Sequence, residues 1–161
     1  MTVKVLEDKF DVASLLIDKS FKENIEMTPK KLQKLMYYAY SWGLVFLNET
    51  SEDLNIKLFD GDFEAWVHGP VDSELYSKYK KYGYQQVEQE NVDISLNAKI
   101  SKQIVDEVFR VYGEFTADQL EYQTHQEEPW QQSRKGLTPI AATNNKIEDA
   151  TIFDFYGSQL A

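Results

Sequence analysis

Cysteine is absent from the 161-residue chain, which excludes a disulfide frame, a thiolate metal site and a cysteine nucleophile. Breakers are scarce too, with seven glycines and four prolines. There is no Ser/Gly-rich or Pro-rich linker and no repeat of solenoid period, so one compact domain over residues 1–161 is expected. No apolar run approaches the ~18 residues that cross a bilayer. The N-terminal MTVKVLEDKFDVASLL places charges where a signal peptide has an unbroken apolar stretch, so a cytoplasmic protein without membrane contact is expected. Basic residues are the remaining shortage: 17 Lys+Arg stand against 27 Asp+Glu, for a formal charge of −10. Residues 1–50 are balanced at 7 of each sign, while 51–100 and 101–161 each carry 5 basic and 10 acidic side chains. Such a field repels a phosphate backbone, which argues against nucleic acid and for a protein partner with a basic surface.

Aromatic rings are abundant, with 9 Phe, 3 Trp and 10 Tyr in a composition that is 42% hydrophobic, enough for a substantial core. The periodicities predict a mainly α fold: a single multi-helix domain with a small two-stranded β-ribbon near 56–67. Phe10, Ala13, Ile17 and Phe21 recur at helical spacing from Asp8 to Phe21, with Asp11, Asp18 and Lys19 on other faces. Thr28-Pro29 then gives a hydroxyl N-cap followed by proline at the first helical position. The helix that follows is apolar nearly all round and reads as central; Gly43 within it suggests that another backbone crosses close by. Asp60-Gly61-Asp62 between two apolar runs predicts a hairpin with strands at 56–59 and 63–67. Further helices are expected over Val71–Tyr82, ended by Gly83, and over Leu96–Tyr112, ended by Gly113, with an exposed loop at 84–95 between them. Thr116 with Gln119 fits a capping box, and Phe115 with Leu120 a hydrophobic staple. Another helix restarts at Glu128-Pro129-Trp130, and Asn145 with Glu148 suggests a capped last helix ending near Gly157.

Chemistry-bearing patterns are sparse. His68 in WVHGPV and His125 in LEYQTHQEEPW, with Glu127 or Glu128 beside the second, are the material for a small metal-assisted hydrolase. No HExxH or paired spacing supports it, and each histidine is explained more simply as a hydrogen-bonding residue at an element end. No phosphate-cradling glycine loop occurs, and Ser14, Ser41 and Ser73 lack a nucleophile elbow. No catalytic residue, metal or cofactor is therefore assigned. Lys30, Lys31 and Lys34 crowd the first turns of the central helix and read as a solvated face or, alternatively, as a contact for an acidic surface. The tyrosine series at 37–40 and 76–84 serves core packing in the main. Tyr37, Tyr76, Tyr79 and Tyr82 are the candidates for a binding face, since tyrosine buries a ring and keeps a wet hydroxyl. Trp66 is expected to lock the ribbon onto the central helix near Tyr38 or Trp42.

TPKKLQKLMYYAYSW, FEAWVHGPV, LYSKYKKYG and THQEEPW, in this order over about residues 28–131, together resemble the Panacea domain of SocA-like or GepA-like antitoxins, found in bacteria and their phages. The set rests on Lys31, Leu32, Leu35, Tyr37 and Tyr38; on Trp66, His68, Gly69 and Pro70; on Tyr79 and Gly83; and on His125, Pro129 and Trp130. The resemblance implies a mostly helical, non-enzymatic antitoxin that neutralises a cognate protein toxin by direct contact, in some members as an adaptor handing the toxin to a cellular protease. It carries over no catalytic set. A phage regulator that binds a host protein without any toxin is the remaining alternative. No separate basic helix-turn-helix is present, so operator binding is not expected.

Overall fold

The computed structural model describes residues 2–160. Strand β1 (Lys4–Val5) leads into helix α1 (Lys9–Lys22), then α2 (Pro29–Leu47), strands β2 (Ile56–Lys57), β3 (Phe63–Trp66) and β4 (Gly69–Asp72), and helix α3 (Ser73–Tyr79) with a 3₁₀ turn at Lys80–Tyr82. Helices α4 (Lys99–Tyr112), α5 (Ala117–His125), α6 (Glu128–Ser133) and α7 (Asp149–Ser158) complete the chain. The mainly helical class is therefore found, with two small two-stranded sheets.

Helix α2 is the axis on which the rest is assembled, as its all-round apolarity implies. Thr28 caps it by accepting from the Lys31 amide, and Pro29 opens its first turn. Helices α1, α3, α4, α5 and α7 and strands β2 and β4 all pack on it, burying Leu32, Leu35, Met36, Tyr37, Tyr38, Ala39, Tyr40 and Leu44. The close crossing foreseen at Gly43 is made by the chain at Leu58, whose Cβ lies 3.0 Å from where a Gly43 Cβ would be.

The ribbon is paired differently from expectation. Phe63–Trp66 is a strand, but its antiparallel partner is Gly69–Asp72, with Trp66 opposite Gly69 across a two-residue turn at Val67-His68. Ile56–Lys57 instead pairs in parallel with Lys4–Val5. Asp60-Gly61-Asp62 is thus a connection between sheets, held where the Asp62 amide donates to the buried Asp72 carboxylate. Residues 145–147 run along the other edge of β3, through Ala65 N–H to Asn145 O and Ile147 N–H to Phe63 O. Asn145 is spent on that pairing, and Glu148 takes the N-cap position of α7 without a side-chain cap bond.

Two further expectations shift. In α1 the buried face is Val12, Ala13, Leu15, Leu16 and Ile17, while Phe21 is 42% exposed. Asp18 is buried rather than solvated, accepting from Gln89 Nε2 and the Asp93 amide and pairing with Lys22. It thereby tacks the 84–98 segment onto α1. Helix α3 is shorter at its start than expected, because Val71 belongs to β4 and Asp72 is the cap, accepting from the amides of Glu74 and Leu75. The capping box at Thr116 and Gln119 is present; Leu120 is buried, but Phe115 stays largely exposed.

Candidate protein-binding groove

The N-terminal half of α2, the β3–β4 hairpin, α3 and the turn after it enclose a groove of about 380 Å³, within the range of ligand sites. Leu32, Trp66, His68, Tyr79 and Gly83 of the signature set lie on its wall, together with Tyr76. Residues from three separate stretches of sequence are thus brought to one concavity.

Each wall has a local cause. Trp66 leaves the end of β3 half-buried, packs its indole against the Tyr76 ring at 5.0 Å between centroids and donates its N–H to Glu64. It does not reach Tyr38 or Trp42 as expected; its carbonyl is instead taken by the Trp130 indole N–H at 2.8 Å. Across from it, Leu32 and Leu75 form the buried apolar side. Gly69 closes the hairpin turn at φ +109°, a region closed to most L-residues. A Cβ at Gly69 would sit 2.5 Å from Lys34 Cε and 3.0 Å from Thr124 Oγ1, so glycine is what lets the hairpin lie down on the lysine.

The solvated-face reading of the three lysines fails. Lys30 pairs with Asp118 and Glu121 of α5. Lys31 is buried and donates to the Gly113 carbonyl at 2.6 Å, latching α2 to the end of α4; burial pulls its pKa below the usual lysine range. Lys34 is 1% exposed and forms part of the groove wall. Its ammonium donates to the Pro70 carbonyl at 3.2 Å. Burial, reinforced by repulsion from Lys30, lowers its pKa to about 7, with Glu121 opposing. The groove is also electrostatically unusual for this chain: Lys30, Lys34, His68 and Lys80 line it and no Asp or Glu does, in a protein of net charge −10.

The remaining signature residues are structural. Leu35 and Tyr37 lie in the core; Tyr37 is 1% exposed, beneath Phe63 and Tyr156, which removes it from the candidate binding face. Tyr38 stacks on Tyr112 at 4.0 Å and donates to Glu127 Oε1 at 2.8 Å. Tyr156 donates to the same oxygen at 2.8 Å. Burial raises the Glu127 pKa, while the bonds from Tyr156, Tyr38 and Gln123 hold it down. Tyr82 is half-buried beside the groove and Tyr76 is 43% exposed.

His68 and His125 do not form a donor set. His68 is exposed, with Nδ1 3.1 Å from Glu121 Oε2. His125 stacks on Trp130 at 4.0 Å, and burial lowers its pKa. Among the described residues no group of three or more His, Asp or Glu is arranged to hold a metal ion. Pro129 is buried at the start of α6.

The residues that sequence reasoning missed are Lys34 as a groove residue, Glu127 and Tyr156 as a buried acceptor and donor, and Arg134. The Arg134 guanidinium is buried and reaches the carbonyls of Ala65 and Ala141 at 2.7 and 2.6 Å, tying the 134–141 segment to β3.

The chain belongs to the family of antitoxin SocA-like proteins with a Panacea domain, which it matches over residues 32–131. That span contains the lining of the groove apart from Pro29 and Lys30. Among named relatives, Antitoxin SocA of Caulobacter vibrioides (strain NA1000 / CB15N) is 38% identical over 72 residues, which are 45% of this chain and 35% of that protein. The chain therefore aligns with about a third of that relative's length. No solved structure matches it. Among the described residues no helix is long and apolar enough to cross a membrane.

Proposed function

We propose that the chain is the antitoxin of a toxin–antitoxin pair and neutralises its cognate toxin by direct contact at the groove. The observation that carries this reading is the convergence of Leu32, Trp66, His68, Tyr79 and Gly83, distant in sequence, on one concavity inside the family-matched span. Tyr76 and Trp66, with Tyr82 beside the groove, supply the aromatic anchors that dominate hot spots, whereas Tyr79, 2% exposed, belongs to the core like Tyr37. The net charge of −10 acts at longer range, accelerating approach of a toxin with a basic surface and losing that effect as salt rises.

Co-expression with the neighbouring open reading frame tests the reading. The neighbour's product is expected to arrest growth, this chain to restore it, and a folded Tyr76→Ala variant to restore it less well. If no adjacent product inhibits growth, or if it does and this chain fails to rescue, the proposal is wrong. The same assay in protease-deficient cells separates the two modes of neutralisation: rescue that persists is contact alone, and rescue that disappears is hand-over to a protease.

A further inference from the structure

Phe115 reads in the sequence as a staple for Leu120, yet it stays out of the core. It falls on one outward face of α5 with Gln119, Tyr122 and Gln123, at i, i+4, i+7 and i+8 spacing. With Asp118 these residues line a shallow depression of about 370 Å³. Tyr122 is 68% exposed there, because α5 is held to the body through Leu120 and Thr124 on its other side. Two large rings on one helix face with nothing over them are the apolar part of a contact surface. The charge around them has one sign. Residues 113–128 include Glu114, Asp118, Glu121, Glu127 and Glu128 and no Lys or Arg; of these carboxylates Glu127 alone is spent inside, on Tyr38 and Tyr156. Exposed Glu26 joins Glu114 in the field that acts on Lys31. Lys30 takes one oxygen of Asp118 and leaves the side chain 93% exposed. Gln123 gives its amide nitrogen to Glu127, and its amide oxygen has no partner among the described residues.

The face is fixed in advance and continuous with the groove. Lys31 holds the Gly113 carbonyl at 2.6 Å, the Phe115 amide donates to Tyr112 O at 3.1 Å, and the Thr116–Gln119 box closes the first turn of α5. The rings therefore stand on a platform that needs no ordering when a partner arrives. Lys30 and His68, both on the groove wall, reach across to Asp118 and Glu121. A segment leaving the groove past them meets the α5 face next.

We propose that the α5 face is the docking site for an arginine-bearing basic segment of the toxin, one guanidinium packing on the Tyr122 ring and donating to Asp118. The proposal rests on the antitoxin reading for the identity of the partner. Charge complementarity selects the occupant: exposed rings beside free carboxylate and amide oxygens suit a planar cation with several donors, which stacks and forks at once. A nucleic acid carries the wrong sign. So does a second copy of the chain, since a two-fold contact through this face would set α5 against α5, acid on acid. The long-range attraction proposed for the net charge of −10 thereby acquires a short-range address.

The probe is a blocked peptide, acetyl-Gly-Arg-Leu-Arg-Leu-Arg-Gly-amide, against the counterpart with citrulline in place of arginine, which keeps the shape and loses the charge. Each is titrated into the full chain at low salt and followed by amide and tyrosine-ring NMR. The arginine peptide is expected to bind about tenfold tighter than the citrulline peptide and to shift the resonances of residues 115–123. Tyr122→Ala and Asp118→Asn are each expected to weaken it about threefold to fivefold; both side chains are exposed, so the variants keep the fold. Glu52→Gln removes the same charge beyond the far end of α2 and is expected to leave binding unchanged. Equal binding of the two peptides, shifts located away from α5, or a loss that Glu52→Gln reproduces overturns the proposal. Sedimentation as a dimer that Tyr122→Ala disperses assigns the face to a second copy and overturns it as well. The two proposals fail separately. Rescue of growth at wild-type level by the Asp118→Asn, Tyr122→Ala double variant refutes the docking site and leaves the antitoxin reading standing; arginine-selective binding at α5 with no toxin encoded next door refutes the antitoxin reading and keeps the basic-segment site.

Discussion

Lys34→Met isolates the energetic consequence of burying an amine in the groove wall. Burial lowers the pKa of the lysine from its usual 10.5 to about 7, and each unit corresponds to about 1.4 kcal/mol, so the charged form is disfavoured by on the order of 3 to 5 kcal/mol. In the unfolded chain Lys34 keeps its proton up to about pH 10.4; in the native protein it gives the proton up near 7. Between those values the unfolded state holds the extra proton, so native stability rises with pH across this window and the full penalty applies below 7. Methionine carries no such penalty and fills nearly the same volume. The variant is therefore expected to be more stable than the wild type by about 3 to 5 kcal/mol at pH 6. The difference should shrink steadily above pH 7. Near pH 10 it should reverse slightly, by about 1 kcal/mol, for the lost hydrogen bond to Pro70. Urea midpoints by circular dichroism at pH 6, 7.5, 9 and 10 give the comparison, and titrations common to both proteins cancel in the difference. A variant less stable than wild type at pH 6, or a difference flat across the window, would refute the burial argument and with it the account of Lys34 as a cation held in the wall at a cost.

Gly69→Ala should destabilise by about 1 to 3 kcal/mol, because it combines φ +109° with a Cβ 2.5 Å from Lys34 Cε; a urea midpoint within error of wild type would show that the hairpin can lift freely. Asp72→Ala strips Lys9 of its buried partner at 2.8 Å and uncaps α3, with an expected cost of about 3 to 5 kcal/mol. Lys9→Met, Asp72→Asn together should recover much of that loss in thermal unfolding. Glu127→Ala leaves the Tyr38 and Tyr156 hydroxyls without their shared acceptor and should cost about 2 to 4 kcal/mol in the same assay. Glu127→Gln keeps an acceptor; since the native carboxyl titrates above its usual value, wild-type stability loses ground as pH rises through that range, and the Gln variant is expected to lack this slope.

What the sequence made legible was local. The starts at Thr28-Pro29 and Thr116 are side-chain chemistry within three residues of the backbone they cap, and both stand in the structure. The central position of α2 followed from apolar residues on every face. The ribbon was misread because a turn signal does not specify its partner: Asp60-Gly61-Asp62 looks like a hairpin tip, yet β2 finds a parallel neighbour some fifty positions upstream at Lys4–Val5, and the turn that closes is Val67-His68 ahead of Gly69. Long-range acceptors were equally invisible. Lys30, Lys31 and Lys34 look alike in a row, but their environments are an acidic pair on α5, a carbonyl ending α4 and the wall of the groove. Part of the groove was legible as a family pattern, through Leu32, Trp66, His68, Tyr79 and Gly83; its cationic lining was not, because it depends on which side chains the hairpin covers.

That covering makes the groove rigid where it is charged and adaptable where it is not. Gln33 and Asp72 exchange hydrogen bonds through the Gln33 amide and the Asp72 backbone, at 3.1 and 2.9 Å, clamping β4 onto α2. The Asp72 carboxylate at the same time caps α3 and receives Lys9. The wall that holds Lys34 is therefore fixed before any partner arrives, and little ordering entropy remains to be lost there. On the lip of the groove Tyr84 is 95% exposed, free to choose rotamers against different surfaces. A wall clamped by these hydrogen bonds beside a free ring leaves accommodation of a partner's shape to that ring.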